Sequence, residues 1–88
     1  MVHVTEKLTS SDAILARVRD VFRAELDDES LAIVPDTSQR NLKAWDSLAH
    51  IRLVSGIENE FDIQFNLTEI EQITSVQQFL QLIEERSR

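Results

Sequence analysis

The sequence predicts an all-α fold: a bundle of three main helices and one short helix, with a long loop between the first two. Apolar residues recur every three or four positions in four stretches, as they do on the buried face of a helix. With one Gly and one Pro in 88 residues, the chain has few residues suited to the tight turns of a strand-rich fold. This length favours a single domain over residues 1–88.

The first helix is predicted over residues 11–26. Its apolar positions follow a helical period: Ile14, Leu15, Val18, Val21, Phe22 and Leu26. The run TSSD before them offers several N-cap residues, whose side chains accept hydrogen bonds from the first free backbone N–H groups. We expect residues 1–9 to form a flexible N-terminus.

The second helix is predicted over residues 47–61. One apolar stripe defines it: Leu48, Ile51, Val54, Ile57 and Phe61. Asp46 is the natural N-cap, and its charge lies at the positive end of the helix dipole. Gly56 costs about 1 kcal/mol relative to Ala inside a helix. It is explained either by the close approach of a neighbouring helix or by that of a partner.

Two further helices follow near the C-terminus. The short third helix covers 67–72, where Asn66 and Glu69 have the spacing of a capping box. The fourth covers 75–85, and its apolar residues face inward: Val76, Phe79, Leu80 and Ile83. Either Thr74 or Ser75 can be its N-cap. The residue at the matching third position of the helix is then Gln77 or Gln78, respectively.

The connection over residues 27–45 is long for a small domain. Its apolar residues indicate that it packs over the bundle: Leu31, Ile33, Val34, Leu42 and Trp45. Trp45 is most simply an anchor that holds this loop to the core. The cluster Asp27, Asp28 and Glu29 lacks the spacing of an EF-hand calcium loop, so a solvated loop is favoured over a metal site.

Composition excludes several classes of function. The net charge is −7, and residues 45–88 carry most of it, which argues against nucleic-acid binding and favours partners with basic surfaces. The absence of cysteine excludes thiolate metal sites and cysteine nucleophiles. No glycine-rich phosphate loop can be written. The sequence also shows no secretory signal and no apolar run long enough to span a membrane, so we expect a cytoplasmic protein.

Ser47 is the residue that leaves a question open. An Asp-Ser-Leu triplet at a helix start is most often only a cap and a first turn. The hydroxyl nevertheless lies beside free backbone N–H groups, where a phosphate is favoured. His50 lies one turn later, so a Ser–His nucleophile pair is conceivable, but no third orienting residue and no glycine-flanked elbow accompany it. His50 is better explained as an exposed helix residue or a partner contact.

The ordered set of motifs resembles that of an acyl carrier protein over about residues 11–85. DSLAHIRLV begins the second helix after a long loop, and IENEFDIQF closes it. LTEIEQI then matches the short third helix, and TSVQQFLQLI begins the last.

The resemblance implies a non-catalytic carrier without a metal site. Ser47, flanked by Asp46 and Leu48, would bear a covalent 4′-phosphopantetheine arm that a phosphopantetheinyl transferase takes from coenzyme A. The arm's thiol would hold an acyl group as a thioester, sheltered between the helices or presented to loading and modifying enzymes with basic docking patches. A monomer is expected. The residues that would contact partners are Trp45, Leu48, Ile51, Arg52, Ser55 and Glu58.

Departures from the family pattern point to a specialised stand-alone carrier. Arg52 stands where fatty-acid carriers usually have an acid, and Trp45 replaces a small residue before the Asp-Ser pair. Peptidyl carriers usually have glycines before the serine, and KAWDS has none. The cargo stays open between acyl, aminoacyl, hydroxyacyl and peptidyl groups, for lipid, envelope or secondary-metabolite synthesis. The rival class is an unmodified helical adaptor that binds a basic partner.

Overall fold

The computed structural model describes residues 11–86. They form four α-helices: α1 (Ser11–Glu25), α2 (Ser47–Phe61), α3 (Leu67–Gln72) and α4 (Val76–Arg86). Three main helices and one short helix confirm the predicted all-α class. The expected flexible segment at 1–9 and the N-cap candidates Thr9 and Ser10 lie outside the described residues.

Two aspartates end the first two helices by adopting the left-handed conformation that usually requires glycine. Asp27 has φ of 53° and follows α1, which ends one residue earlier than the periodicity predicted. Asp62 has φ of 56° and ends α2, and its backbone N–H donates to the carbonyl of Glu58. Asp tolerates this conformation better than most residues, so a chain with a single glycine still terminates its helices sharply.

The core is one cluster contributed by α1, α2, α4 and the connections between helices. Its largest fully buried side chains are Trp45, Phe22, Phe79, Ile33, Leu53, Ile57, Ile73, Ile83, Val18 and Val76. Phe22 contacts Trp45 edge-on with ring centroids 5.1 Å apart, and Phe79 stacks on Trp45 with ring centroids 6.0 Å apart. Aromatic pairs in such geometries add to the stabilisation that burial alone provides.

Gly56 allows α1 and α2 to approach closely. A Cβ at this position would lie 2.7 Å from Cγ1 of Val21, closer than two carbon atoms can pack, and 3.2 Å from Cγ of Glu25. Gly56 is therefore explained by the close approach of α1, which is one of the two explanations that the sequence left open. The packing of the two helices offsets the poor helix propensity of glycine.

The long loop packs against the helices, with Ile33 only 1 % exposed. Arg23 of α1 donates from Nε to the carbonyl of Leu31 over 2.9 Å. The far part of the loop holds the start of α4, because the N–H of Val76 donates to the carbonyl of Thr37 over 2.8 Å. These bonds fix the path of the loop that leads into α2.

Side-chain caps begin the last two helices as their sequences predict. Asn66 and Glu69 form a reciprocal capping box at α3. At α4, the N–H of Ser75 donates to Oε1 of Gln78 over 3.0 Å, and the N–H of Gln78 donates back to Oγ of Ser75 over 3.4 Å. This reciprocal pair selects Ser75 and Gln78 from the candidates. None of the helices in the described part of the chain has the length and apolar character needed to cross a lipid bilayer.

Candidate functional site

Ser47 occupies the first turn of α2 and is exposed to solvent. Asp46 caps the helix, since its Oδ1 accepts from the N–H of Ala49 over 2.9 Å and its carbonyl accepts from the N–H of His50 over 2.8 Å. The predicted cap is therefore confirmed. It fixes the backbone on both sides of Ser47 while leaving the hydroxyl outside the bundle.

The first two N–H groups of α2 are open to a ligand. Among the hydrogen bonds of residues 11–86, none uses the backbone N–H of Ser47 or Leu48. Free N–H groups at a helix start carry partial positive charge and favour an anion such as a phosphate. The local arrangement therefore suits a phosphodiester on the Ser47 hydroxyl.

The outer face beside Ser47 is apolar and mostly exposed. Leu48 and Ile51 are 64 % and 58 % exposed, and Arg52 and Ser55 are exposed beside them. Buried residues of α2 lie on the opposite face: Ala49, Leu53, Val54 and Ile57. Four of the six predicted partner residues thus share one accessible surface, which we name the Ser47 face (Leu48, Ile51, Arg52 and Ser55).

Glu58 and Trp45, the other two predicted partner residues, have intramolecular roles. Glu58 is half-buried, and its Oε2 accepts from the N–H of Phe65 over 2.9 Å. Trp45 is 2 % exposed and contacts Phe22 and Phe79. The prediction that Trp45 contacts partners is therefore wrong for this conformation, because the core covers its ring, whereas its interpretation as a loop anchor is confirmed.

His50 is neither an exposed residue nor a base for Ser47. The indole Nε1–H of Trp45 donates to its Nδ1 over 3.0 Å, and its Nε2 lies 2.8 Å from the carbonyl of Ile70. Because indole N–H only donates, Nδ1 must accept, and Nε2–H then donates to Ile70. Both nitrogens of a neutral imidazole are used. No sequence signal indicated the bond to Ile70, which is 20 residues away.

The acidic cluster after α1 is explained by local structure. Asp28 accepts from the hydroxyl and the N–H of Ser30 over 2.6 and 3.0 Å, and these bonds lower the pKa of its carboxyl. Asp27 ends α1. Within residues 11–86 no group of three or more His, Asp and Glu side chains is placed to hold a metal ion.

The second half of α2 places its acids in contacts within the chain. Arg17 of α1 donates from Nε to Oε2 of Glu60 over 2.9 Å and from Nη2 to the Glu60 carbonyl over 2.7 Å. Its guanidinium also lies 4.3 Å from the ring centroid of Phe61. The acidic end of α2 is therefore partly neutralised by α1.

Comparisons with known proteins agree on one family. The family described as "Phosphopantetheine attachment site" matches residues 14–83. An acyl carrier protein of Trieres chinensis is 37 % identical over 78 residues, covering 88 % of this chain and 96 % of that protein. An acyl carrier protein of Cyanidioschyzon merolae is 34 % identical over 70 residues, covering 80 % and 77 %.

A solved structure has the same fold. The solution NMR structure of holo acyl carrier protein from Geobacter metallireducens superposes with a TM-score of 0.76 at 30 % sequence identity. The match covers 83 % of this chain and 84 % of that one. The likeness therefore extends over the bundle and is not confined to the Asp-Ser-Leu triplet.

Proposed function

The chain belongs to the acyl carrier protein family, and we propose that Ser47 is the residue that bears its phosphopantetheine arm. Members of this family are carriers and not enzymes, and they hold cargo on a covalently attached 4′-phosphopantetheine. A phosphopantetheinyl transferase accordingly belongs among the proteins that act on the chain. What remains to be assigned is the attachment residue.

The observation that carries the assignment is the position of the Ser47 hydroxyl. It is exposed at the first turn of a capped helix, beside two backbone N–H groups that have no hydrogen-bond partner among residues 11–86. Those donors can hold the phosphate while Oγ loses its proton and bonds to the pantetheine-bearing phosphorus of coenzyme A, whose pyrophosphate bond breaks to release adenosine 3′,5′-bisphosphate. Ser55 is also exposed on α2, but it lies two turns further along, where the backbone N–H groups are used within the helix.

The proposal extends to partners and location. Loading and modifying enzymes would contact Leu48 and Ile51 with apolar surface, and their basic patches would meet the acids of the second half of the chain. From residue 47 to residue 57 the only formal charge is that of Arg52, so a basic patch would not lie directly against the Ser47 face. We further propose that the protein is a monomer and is located in the cytoplasm. A chain without cysteine is compatible with the reducing conditions of that compartment.

The test is the intact mass of the protein after incubation with coenzyme A, Mg²⁺ and a broad-specificity phosphopantetheinyl transferase. The wild type should gain one phosphopantetheine, and Ser47→Ala should gain none. Ser55→Ala is the matched control, an exposed serine of the same helix, and should be modified like the wild type. An unmodified wild type, folded by circular dichroism and incubated with an enzyme active on another carrier, would favour the unmodified adaptor.

A further inference from the structure

The side chain of Ser47 starts outside the bundle. The buried side of α2 faces away from it and consists of Ala49, Leu53, Val54 and Ile57. A group attached to Ser47 can therefore reach the interior only by passing around an edge of α2. Whether cargo is sheltered depends on what occupies the space behind those edges.

His50 closes the edge of α2 that faces α3. It lies one turn after Ser47, and its Nε2–H donates to the carbonyl of Ile70 over 2.8 Å. This bond joins the first turns of α2 directly to the backbone of α3. A chain passing between the two helices near Ser47 would have to break it.

Trp45 fills the interior behind His50. Its ring lies 6.0 Å from the imidazole and is nearly parallel to it, and its indole N–H donates to Nδ1 over 3.0 Å. It also contacts Phe22 and Phe79, both fully buried. It is the largest of the fully buried side chains, so it occupies the interior behind His50.

Where α2 crosses α1 at Gly56, the two helices are in direct contact. At Gly56 even a methyl group would overlap Val21. An alkyl chain, which is wider than the contact allows, cannot pass there unless the helices separate.

We propose that Trp45 and His50 form a plug that keeps apolar cargo out of the bundle, so the carrier is suited to short or polar acyl groups. An entering chain would displace the Trp45 ring and leave an indole N–H or an imidazole nitrogen buried without a partner, which is unfavourable. A long alkyl chain left outside would instead expose its apolar surface to water. The inference rests on Ser47 as the attachment site.

The test compares two cargoes on the same protein. Acetyl-pantetheine and octanoyl-pantetheine arms are attached to the wild type from acetyl- and octanoyl-coenzyme A, and intact mass verifies each product. The indole N–H resonance in a ¹H–¹⁵N NMR spectrum then reports on the interior, and it is unambiguous because Trp45 is the only tryptophan. The plug predicts the same resonance with both cargoes, with differences confined to the Ser47 face.

A shift of the indole resonance in the octanoyl form alone, or a rise of several degrees in its Tm over the acetyl form, would overturn the plug. A missing mass increment would instead count against the proposed function, so the two failures are distinguishable.

Opening the plug gives the positive control. His50→Ala removes both hydrogen bonds, and octanoyl but not acetyl cargo should then shift the amide resonances of Val54 and Ile70. Asn59→Ala, an exposed change on the same helix but outside the Ser47 face, should leave the wild-type pattern. If octanoyl cargo stays outside folded His50→Ala, the assignment of the plug to these residues is wrong. Trp45→Phe, which keeps an aromatic ring without the indole donor, takes its place if His50→Ala does not fold.

Discussion

The two halves of α2 differ in how their outward-facing side chains are used. In the first half, Leu48, Ile51 and Arg52 are exposed, and no hydrogen bond or ion pair within residues 11–86 engages the Arg52 guanidinium. In the second half, Glu58 accepts from the N–H of Phe65, and Glu60 pairs with Arg17. The outward-facing side chains at the start of this helix are thus exposed, whereas those at its end form hydrogen bonds and an ion pair with other parts of the chain.

The outward-facing side chains available for function and those that stabilise the fold therefore lie at opposite ends of α2. The free side chains surround the Ser47 hydroxyl, where an arm and its partner enzymes need access. The engaged ones lie at the other end, where α2 meets α1 and the segment leading into α3. Substitutions of outward-facing residues in the first half should therefore change partner binding more than folding, and substitutions of outward-facing residues in the second half should do the reverse.

The largest effect on folding should come from the inner side of the first half. Leu53 is fully buried and Leu48 is 64 % exposed, so the same Leu→Ala change can be made five positions apart in one helix. Leu53→Ala should lower the free energy of unfolding by about 2–5 kcal/mol through lost burial and the cavity left behind. Leu48→Ala should stay within about 0.5 kcal/mol of the wild type.

Urea unfolding followed by Trp45 fluorescence measures both leucine variants. Equal losses of stability at the two positions would remove the distinction between the inner and outer sides of α2.

A medium effect is expected at the charged residues of the two halves. Glu58→Ala leaves the part-buried N–H of Phe65 without its acceptor and should cost about 1–2 kcal/mol. Glu58→Gln keeps an acceptor oxygen and should recover most of this loss. Arg52→Ala should change stability by less than about 0.5 kcal/mol. If Arg52→Ala were the more destabilising change in urea unfolding, the comparison of the two halves would be reversed.

The smallest effect concerns α3, which has no fully buried residue and is held by polar contacts and by the half-buried Ile70. Glu69 bonds to the Arg86 guanidinium and to the N–H of Asn66, and these bonds lower the pKa of its carboxyl below the ordinary value of 4.5. The ionised carboxylate thus stabilises the fold above that value, and this contribution is lost as pH falls through the lowered pKa.

Arg86→Gln should therefore reduce stability slightly at neutral pH and make little difference in acid. Thermal unfolding at a series of pH values checks this, and an identical difference in Tm at all pH values would contradict it.

Local signals predicted the helices well because the local physics and the tertiary structure agree. The bounds of α2 and α3 follow from Asp46 and the capping box at Asn66, each of which acts within four residues. The exposed position of Ser47 followed from its place in the first turn after the N-cap. The apolar stripe was a poorer guide, since Leu48 and Ile51 belong to it and are 64 % and 58 % exposed.

Contacts between distant residues could not be predicted. The pairing of Arg17 with Glu60 spans 43 positions and depends on how α1 lies against α2. The burial of Trp45 and the use of both His50 nitrogens likewise depend on the path of the long loop and on the position of α3. A single sequence shows that Trp45 is apolar and His50 polar, but it does not show that they bond to each other.

The most direct test of the account locates the modification in the chain. Holo-protein prepared with the transferase is digested, and tandem mass spectrometry of the peptide that contains residues 45–52 identifies the modified residue. Phosphopantetheine should be on Ser47 alone, with the other serines unmodified. Phosphopantetheine on Ser55, or on any serine other than Ser47, would contradict the claim that the start of α2 is the carrier site.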